Sequence, residues 1–75
     1  MSKHIDIKHE VQRKHKTEFY ELLDEAMLSD KERSMMEMYY VQRKDLGYVA
    51  DVLGYSRAGI LRMHRKVLEK IESLL

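Results

Sequence analysis

Residues 45–66, DLGYVADVLGYSRAGILRMHRK, constrain this chain most, because they read as two short helices joined by a turn with no room for bulk. Asp45 is placed to cap the first helix, its carboxylate accepting from backbone N–H groups that an opening turn leaves orphaned. The spacing predicts that helix over Leu46 to Leu53, with Val49, Ala50 and Leu53 on one face. Gly54 falls where a helix ends by turning left-handed, a conformation nearly free for glycine. Tyr55 spans the turn, and Ser56 is placed to cap a second helix that begins at Arg57. At a steep crossing the facing residues must be small or apolar; Ala50 lets the backbones approach, and Ile60 and Met63 close a small core beneath. Alanine, glycine four on, isoleucine six further and methionine three beyond is the helix-turn-helix spacing.

The rest of the chain reads as support for that unit. Ser29 and Glu32 form an S-x-x-E capping box, with Leu28 placed to pack back as a staple. In the helix they open, Met35, Met36, Met38, Tyr39 and Tyr40 give nearly all-round apolarity, which fits core between three helices better than an adaptable partner surface. Gln42-Arg43-Lys44 forms the loop before Asp45. Toward the N-terminus, Met1 to Ile5 is expected to fray and a first helix to run from after Asp6 to about Met27. Its stripe is Ile7, Val11, Phe19, Leu22, Leu23 and Ala26, interrupted at His15. The half before that interruption carries little apolar surface, so it either projects as a basic arm or needs a partner to order it. The last helix is expected from Arg57 to about Leu74, packing through Ile60, Met63 or His64, Val67, Ile71 and Leu74. Beside that stripe Leu61, Leu68 and Leu75 recur every seven residues, as core edge or as a dimer seam. With no proline and three glycines, the chain is expected to be all-α: one small four-helix domain over 1–75, with an N-terminal helix or arm over 1–27 and the helix-turn-helix part over 28–75.

A net charge of +1 conceals three blocks. Residues 1–16 carry five Lys/Arg against two acids, residues 17–41 two against seven, and residues 42–75 seven against four. Basic ends thus flank an acidic middle, and nucleic acid can be met by the helix-turn-helix end without the whole chain being basic. No cysteine is present to form a disulfide or a thiolate metal site. No apolar run approaches the ~20 residues of a membrane span and no signal peptide is visible, so a soluble, cytoplasmic protein without membrane contact is expected. His4, His9, His15 and His64 include no pair three or four apart, so no metal is expected. With no glycine-rich phosphate loop and no paired-carboxylate site, neither a cofactor nor an enzyme is expected.

From Leu28 onward the chain resembles region 4 of the sigma-70 family of bacterial promoter-recognition factors. The resemblance rests on Leu28-Ser29 with Glu32-Arg33, Tyr39-Tyr40, Val49-Ala50, Leu53-Gly54, Ser56, Ile60, Lys66-Val67-Leu68 and Lys70-Ile71. The chain is similar, less closely, to the DNA-binding domain of quorum-sensing and two-component response regulators. The resemblance implies binding to double-stranded DNA in transcription, with the helix after Ser56 in the major groove, and RNA polymerase as a possible partner. It does not imply a working sigma factor, since nothing here resembles the region that melts promoter DNA.

Geometry nominates the groove-facing residues. With Ile60, Met63 and Val67 inward, Arg57, Ala58, Leu61, Arg62 and Arg65 face outward. Arginine can bond O6 and N7 of guanine together, so Arg57 and Arg62 are the leading base readers, beside Ala58 and Leu61. Arg43, Lys44, Arg65 and Lys66 fit phosphates, as does the positive helix end at Ser56. Ala58 and Gly59 leave room for close approach to the bases. The chain departs from the family at two of these positions: primary sigma factors typically carry an acidic residue where Ala58 stands and arginine where Leu61 stands. Both supply only apolar contact, for instance with a thymine methyl, so a different DNA sequence or a protein surface gripping Leu61 is open. The expectation is a small bacterial or phage transcription regulator. Alternatives are a module binding RNA polymerase or another transcription factor, and a phage DNA-packaging or recombination accessory protein. Surplus apolar surface suggests a homodimer through the N-terminal helix, giving half-sites about one helical turn apart.

Overall fold

Three side-chain caps set the register of the C-terminal half, at the positions where the sequence places them. In the computed structural model, which describes residues 3–75 and their side chains from residue 6 on, Ser29 Oγ accepts from the Glu32 N–H at 3.2 Å. Glu32 in return accepts from the Ser29 N–H at 2.9 Å, completing the box that opens α3 (Asp30–Met36). Asp45 Oδ1 accepts from the Tyr48 N–H at 2.9 Å and opens α4 (Leu46–Leu53). Ser56 Oγ accepts from the Gly59 N–H at 3.0 Å and opens α5 (Arg57–Glu72). Gly54 ends α4 at φ 80° and ψ 31°, and the Tyr55 N–H reaches back to the Ala50 carbonyl at 2.8 Å. A Cβ at Gly54 would meet nothing within 4 Å, so glycine is required there by backbone conformation alone.

Between α3 and α4 the helix does not simply stop. Residues Glu37–Val41 form a π turn, with the Gln42 N–H donating to the Glu37 carbonyl at 3.0 Å, and Lys44 then donating to Met38 at 2.9 Å. The extra residue in such a turn resets the angular position of whatever follows. Here it changes where Tyr39 and Tyr40 point relative to the buried Met35 and Met36. Arg43, at φ 61°, then turns the chain toward Asp45.

The expected first helix is divided in two: α1 (Lys3–Arg13) and α2 (Lys16–Glu25). At the break the Lys14 N–H tightens onto the Val11 carbonyl at 3.2 Å, while the His15 N–H donates to Glu18 Oε1 at 3.3 Å and begins a new helix. The division keeps the segment within the span of the body. An unbroken helix over 6–27 would be about 33 Å long, more than the largest extent of the whole body, 29 Å. Breaking at Lys14–His15 lets α1 fold back along α5, where Val11 is buried and Ile7 half-buried against the core. In this structure the N-terminal segment packs along α5 rather than projecting from the body. Helix begins at Lys3, within the stretch expected to fray; Met1 and Ser2 lie outside the described residues. Helix α2 ends at Glu25, short of Met27, which takes φ 52° and stands almost fully exposed.

Leu23, Met35, Met36, Val49, Ile60, Val67 and Ile71 are fully buried, so α2, α3, α4 and α5 all contribute to one core. The adjacent methionines are core, as expected. Leu74, expected on the packed stripe, is exposed because α5 ends at Glu72. The seven-residue leucine row is not one strip either: Leu68 is buried, whereas Leu61 and Leu75 are exposed. Among the described residues there is no strand, and no helix is long and apolar enough to cross a membrane.

One ion pair fastens α5 to the start of α3: Lys70 Nζ lies 3.2 Å from Glu32 Oε1. Burial pushes the Glu32 carboxyl up, but the Ser29 N–H and Lys70 together outweigh it and hold the group below its usual range. A lowered folded-state pKa contributes stability above the unfolded value that is lost as pH falls through the folded one. Glu32→Gln is therefore expected to melt at a lower temperature than the parent at pH 7. The two melting curves should converge as pH drops below the ordinary glutamate range, about 4.3. A difference that persists unchanged into acid would refute the coupling.

Candidate nucleic-acid interface

Helix α5 buries Ile60, His64, Val67, Leu68 and Ile71 and leaves Arg57, Ala58, Leu61, Arg62, Arg65 and Lys66 exposed. All six residues nominated on this helix therefore share its free side. His64 takes the inward place and Met63 is only half-buried. No acidic residue precedes Glu69 on this helix, so its first three turns present four cations to solvent without an acid of their own. The Ser56 hydroxyl accepts from the Gly59 N–H, which leaves its own O–H as a donor at the helix end.

Gly59 also has a local role on its own body. A Cβ there would lie 3.1 Å from Ser56 Oγ and 3.5 Å from the Tyr55 ring, so the small residue makes room for the cap and the turn. Ala58 alone keeps the bulk low on the outward side. In the loop ahead of α4, Arg43 and Lys44 are exposed, and the Lys44 ammonium stands 5.3 Å over the Tyr48 ring.

Two grooves flank α5. One, of about 320 Å3, lies against α1 and is bordered by Lys8, Tyr39, Leu46, Leu61, Arg65 and Leu68. The other, of about 380 Å3, lies against the start of α3 and is bordered by Ser29, Tyr55, Gly59, Arg62 and Lys66. The nominated cations of α5 are thus shared between the two sides, Arg65 toward α1 and Arg62 with Lys66 toward α3.

Beneath the first groove lies an aromatic cluster that sequence patterns do not reveal. Tyr40 Oη and His64 Nε2 share a hydrogen bond of 2.7 Å, and the Tyr39 ring meets His64 edge-on at 5.2 Å and Tyr40 at 4.8 Å. Burial pushes the Tyr40 phenol well above its ordinary range, so its O–H stays intact. This bond ties the π turn to the middle of α5 and fixes how far the exposed arginines stand from the body. Lys8, whose ammonium lies 5.2 Å over the Tyr39 ring, stands at this cluster; elsewhere on the surface, Tyr48 is half-exposed on α4 and Lys31 lies 5.2 Å over the Tyr55 ring. Periodicity ranks none of the three as functional. The excess of five cations over two acids in residues 1–16 was the one signal that bore on Lys8. Among the described residues no three His, Asp or Glu side chains are placed to hold a metal ion.

The chain is similar to two curated bacterial proteins. It is 33% identical over 49 residues to the RNA polymerase sigma-B factor of Bacillus subtilis (strain 168), a match covering 65% of this chain and 19% of that protein. It is 34% identical over 47 residues to a UPF0122 protein of Caldanaerobacter subterraneus subsp. tengcongensis, covering 63% of this chain and 40% of the relative. The matched stretches span well under half the length of either relative. No family model matches the chain, and no solved structure does. Likeness to the sigma factor, together with the caps, the left-handed Gly54 and the packed α4–α5 pair, makes this a sigma region 4-like helix-turn-helix domain.

Proposed function

We propose that this chain is a transcription regulator that binds double-stranded DNA by laying α5 in the major groove. The single observation that carries this is the free side of α5: four cations and two small or aliphatic residues over three turns, with no acid until Glu69. Arg57, Ala58, Leu61 and Arg62, nearest the helix start, meet base edges. Arg43, Lys44, Arg65, Lys66 and the helix end at Ser56 meet phosphates on either side. Duplex binding is expected to weaken steeply as salt rises, because each phosphate contact releases counterions. Anisotropy titrations at several salt concentrations check this, and an absence of duplex binding at low salt would remove the proposal.

A second reading has its own support. Tyr48 and Val52 on α4 and Leu61 on α5 are each about half exposed, more apolar surface than phosphate contact needs. Such a surface suits a protein such as RNA polymerase, after which the sigma-B relative is named. A homodimer belongs to the same proposal, but its seam moves. Helix α1 spends its apolar side on its own body, so the seam proposed for a second copy is the exposed pair Leu74 and Leu75, one of several exposed apolar places. Sedimentation at tens of micromolar separates the states, since the monomer is 9.0 kDa.

A further inference from the structure

Three grooves that line up along α1 share bordering residues. Tyr39 borders both the groove beside Arg65 and a smaller one that reaches Arg43. Gln12 and Arg43 carry the surface on into a third groove, of about 180 Å3, which ends at Lys14 and Lys16 by the α1–α2 break. Along this path stand Lys8, Lys14, Lys16, Arg43 and Arg65, and no aspartate or glutamate borders any of the three grooves. The ion pairs Arg33–Asp24, Arg33–Glu37 and Lys70–Glu32 engage none of these five cations. A face serving solubility alone would interleave both signs.

We propose that this path is a second part of the DNA interface, carrying the sugar-phosphate backbone of the duplex away from the base pairs that α5 covers. The inference rests on the DNA-binding reading and deepens it. Duplex DNA is a polyanion with one charge per ~1.7 Å of axis, and a row of unopposed cations matches a continuous line of charge better than it matches a compact ligand. Arg65 joins the two parts, since it stands on α5 and also borders the first groove. The Tyr39 ring under the Lys8 ammonium holds that charge at the groove wall. These contacts are with phosphates, so they add affinity and register without adding sequence preference.

The test uses the full chain and three single substitutions: Lys8→Gln, Lys14→Gln and Arg13→Gln. Arg13 lies on the same helix as Lys8 and carries the same charge, yet it borders none of the three grooves. Each variant is titrated onto a mixed-sequence duplex of about 25 base pairs from roughly 50 to 200 mM salt, after circular dichroism has shown unchanged helicity. Lys8→Gln and Lys14→Gln are each expected to make the slope of log K against log salt shallower by about 0.9, while Arg13→Gln leaves it as in the parent. Lys8→Arg should restore the slope. If the Lys8 and Lys14 variants behave like Arg13→Gln, the path is not part of the interface, although α5 keeps its role. A parent chain that binds no duplex at all ends both proposals together. If polyglutamate competes for the parent as well as duplex does, and the two lysine variants lose only polyglutamate binding, the path belongs to an acidic protein partner and the inference is overturned.

Discussion

Replacing Ile60 by alanine is expected to cost this domain about 2–5 kcal/mol, the range for truncating a fully buried aliphatic side chain. Ile60 has no exposed surface and sits where α4 and α5 cross, in one buried cluster with Val49 and Ala50. The loss combines forfeited burial with a cavity that the crossing cannot close, because Gly54 and the two flanking caps fix the angle between the helices. A chain of 75 residues has about 4–11 kcal/mol of stability in all at roughly 0.05–0.15 per residue, so much of it would go. Leu61→Ala, one position along and about half exposed, should stay within about 0.5 kcal/mol of the parent. Urea unfolding of the three chains decides the matter. Near-equal midpoints for Ile60→Ala and the parent would mean that the crossing is not packed as described.

Arg62→Ala is expected to weaken binding to the preferred DNA sequence by about 1–3 kcal/mol and binding to random duplex much less, since a bidentate contact to a guanine carries sequence information. Arg62 lies one turn into α5 on its exposed side, whereas Lys66 lies a turn later, where the proposed seating carries the helix out of the groove. Lys66→Ala should weaken both DNAs by a similar factor and reduce the salt slope by about one. Neither side chain is in the buried cluster, so both variants should keep the parent melting temperature within a few degrees. The preferred sequence comes from selection out of random duplexes with the parent chain. Equal weakening of both DNAs by Arg62→Ala would show that Arg62 reads no base and that α5 is not seated as proposed.

Some residues announce their structure locally and others do not. Asp45, Gly54, Ser56 and the Ser29–Glu32 pair act within four residues of themselves, through hydrogen bonds and a backbone conformation that the side chain itself dictates. Their consequences, the bounds of α4 and the starts of α3 and α5, were legible for that reason. The outward side of α5 was legible too, because a helix whose inward residues are known has only one other side. Tyr40 and His64 are 24 positions apart, and no local signal says that a π turn will aim one at the other. Nor did the sequence show that a Cβ at Gly59 would crowd the Ser56 hydroxyl and the Tyr55 ring, since that depends on how the turn closes.

Taken alone, the sequence determined an all-α chain, the helix-turn-helix within it, the caps that bound its helices and the six exposed residues of α5. Each follows from short-range hydrogen bonding or from helical periodicity, which act wherever the rest of the chain lies. Only the tertiary structure decided that the first helix breaks at Lys14–His15, that α1 packs along α5 and that Lys8 comes beside Arg65. Those outcomes depend on the size of the body against which α1 must fit, since apolar groups distant in sequence leave water together only when the whole chain has closed around them.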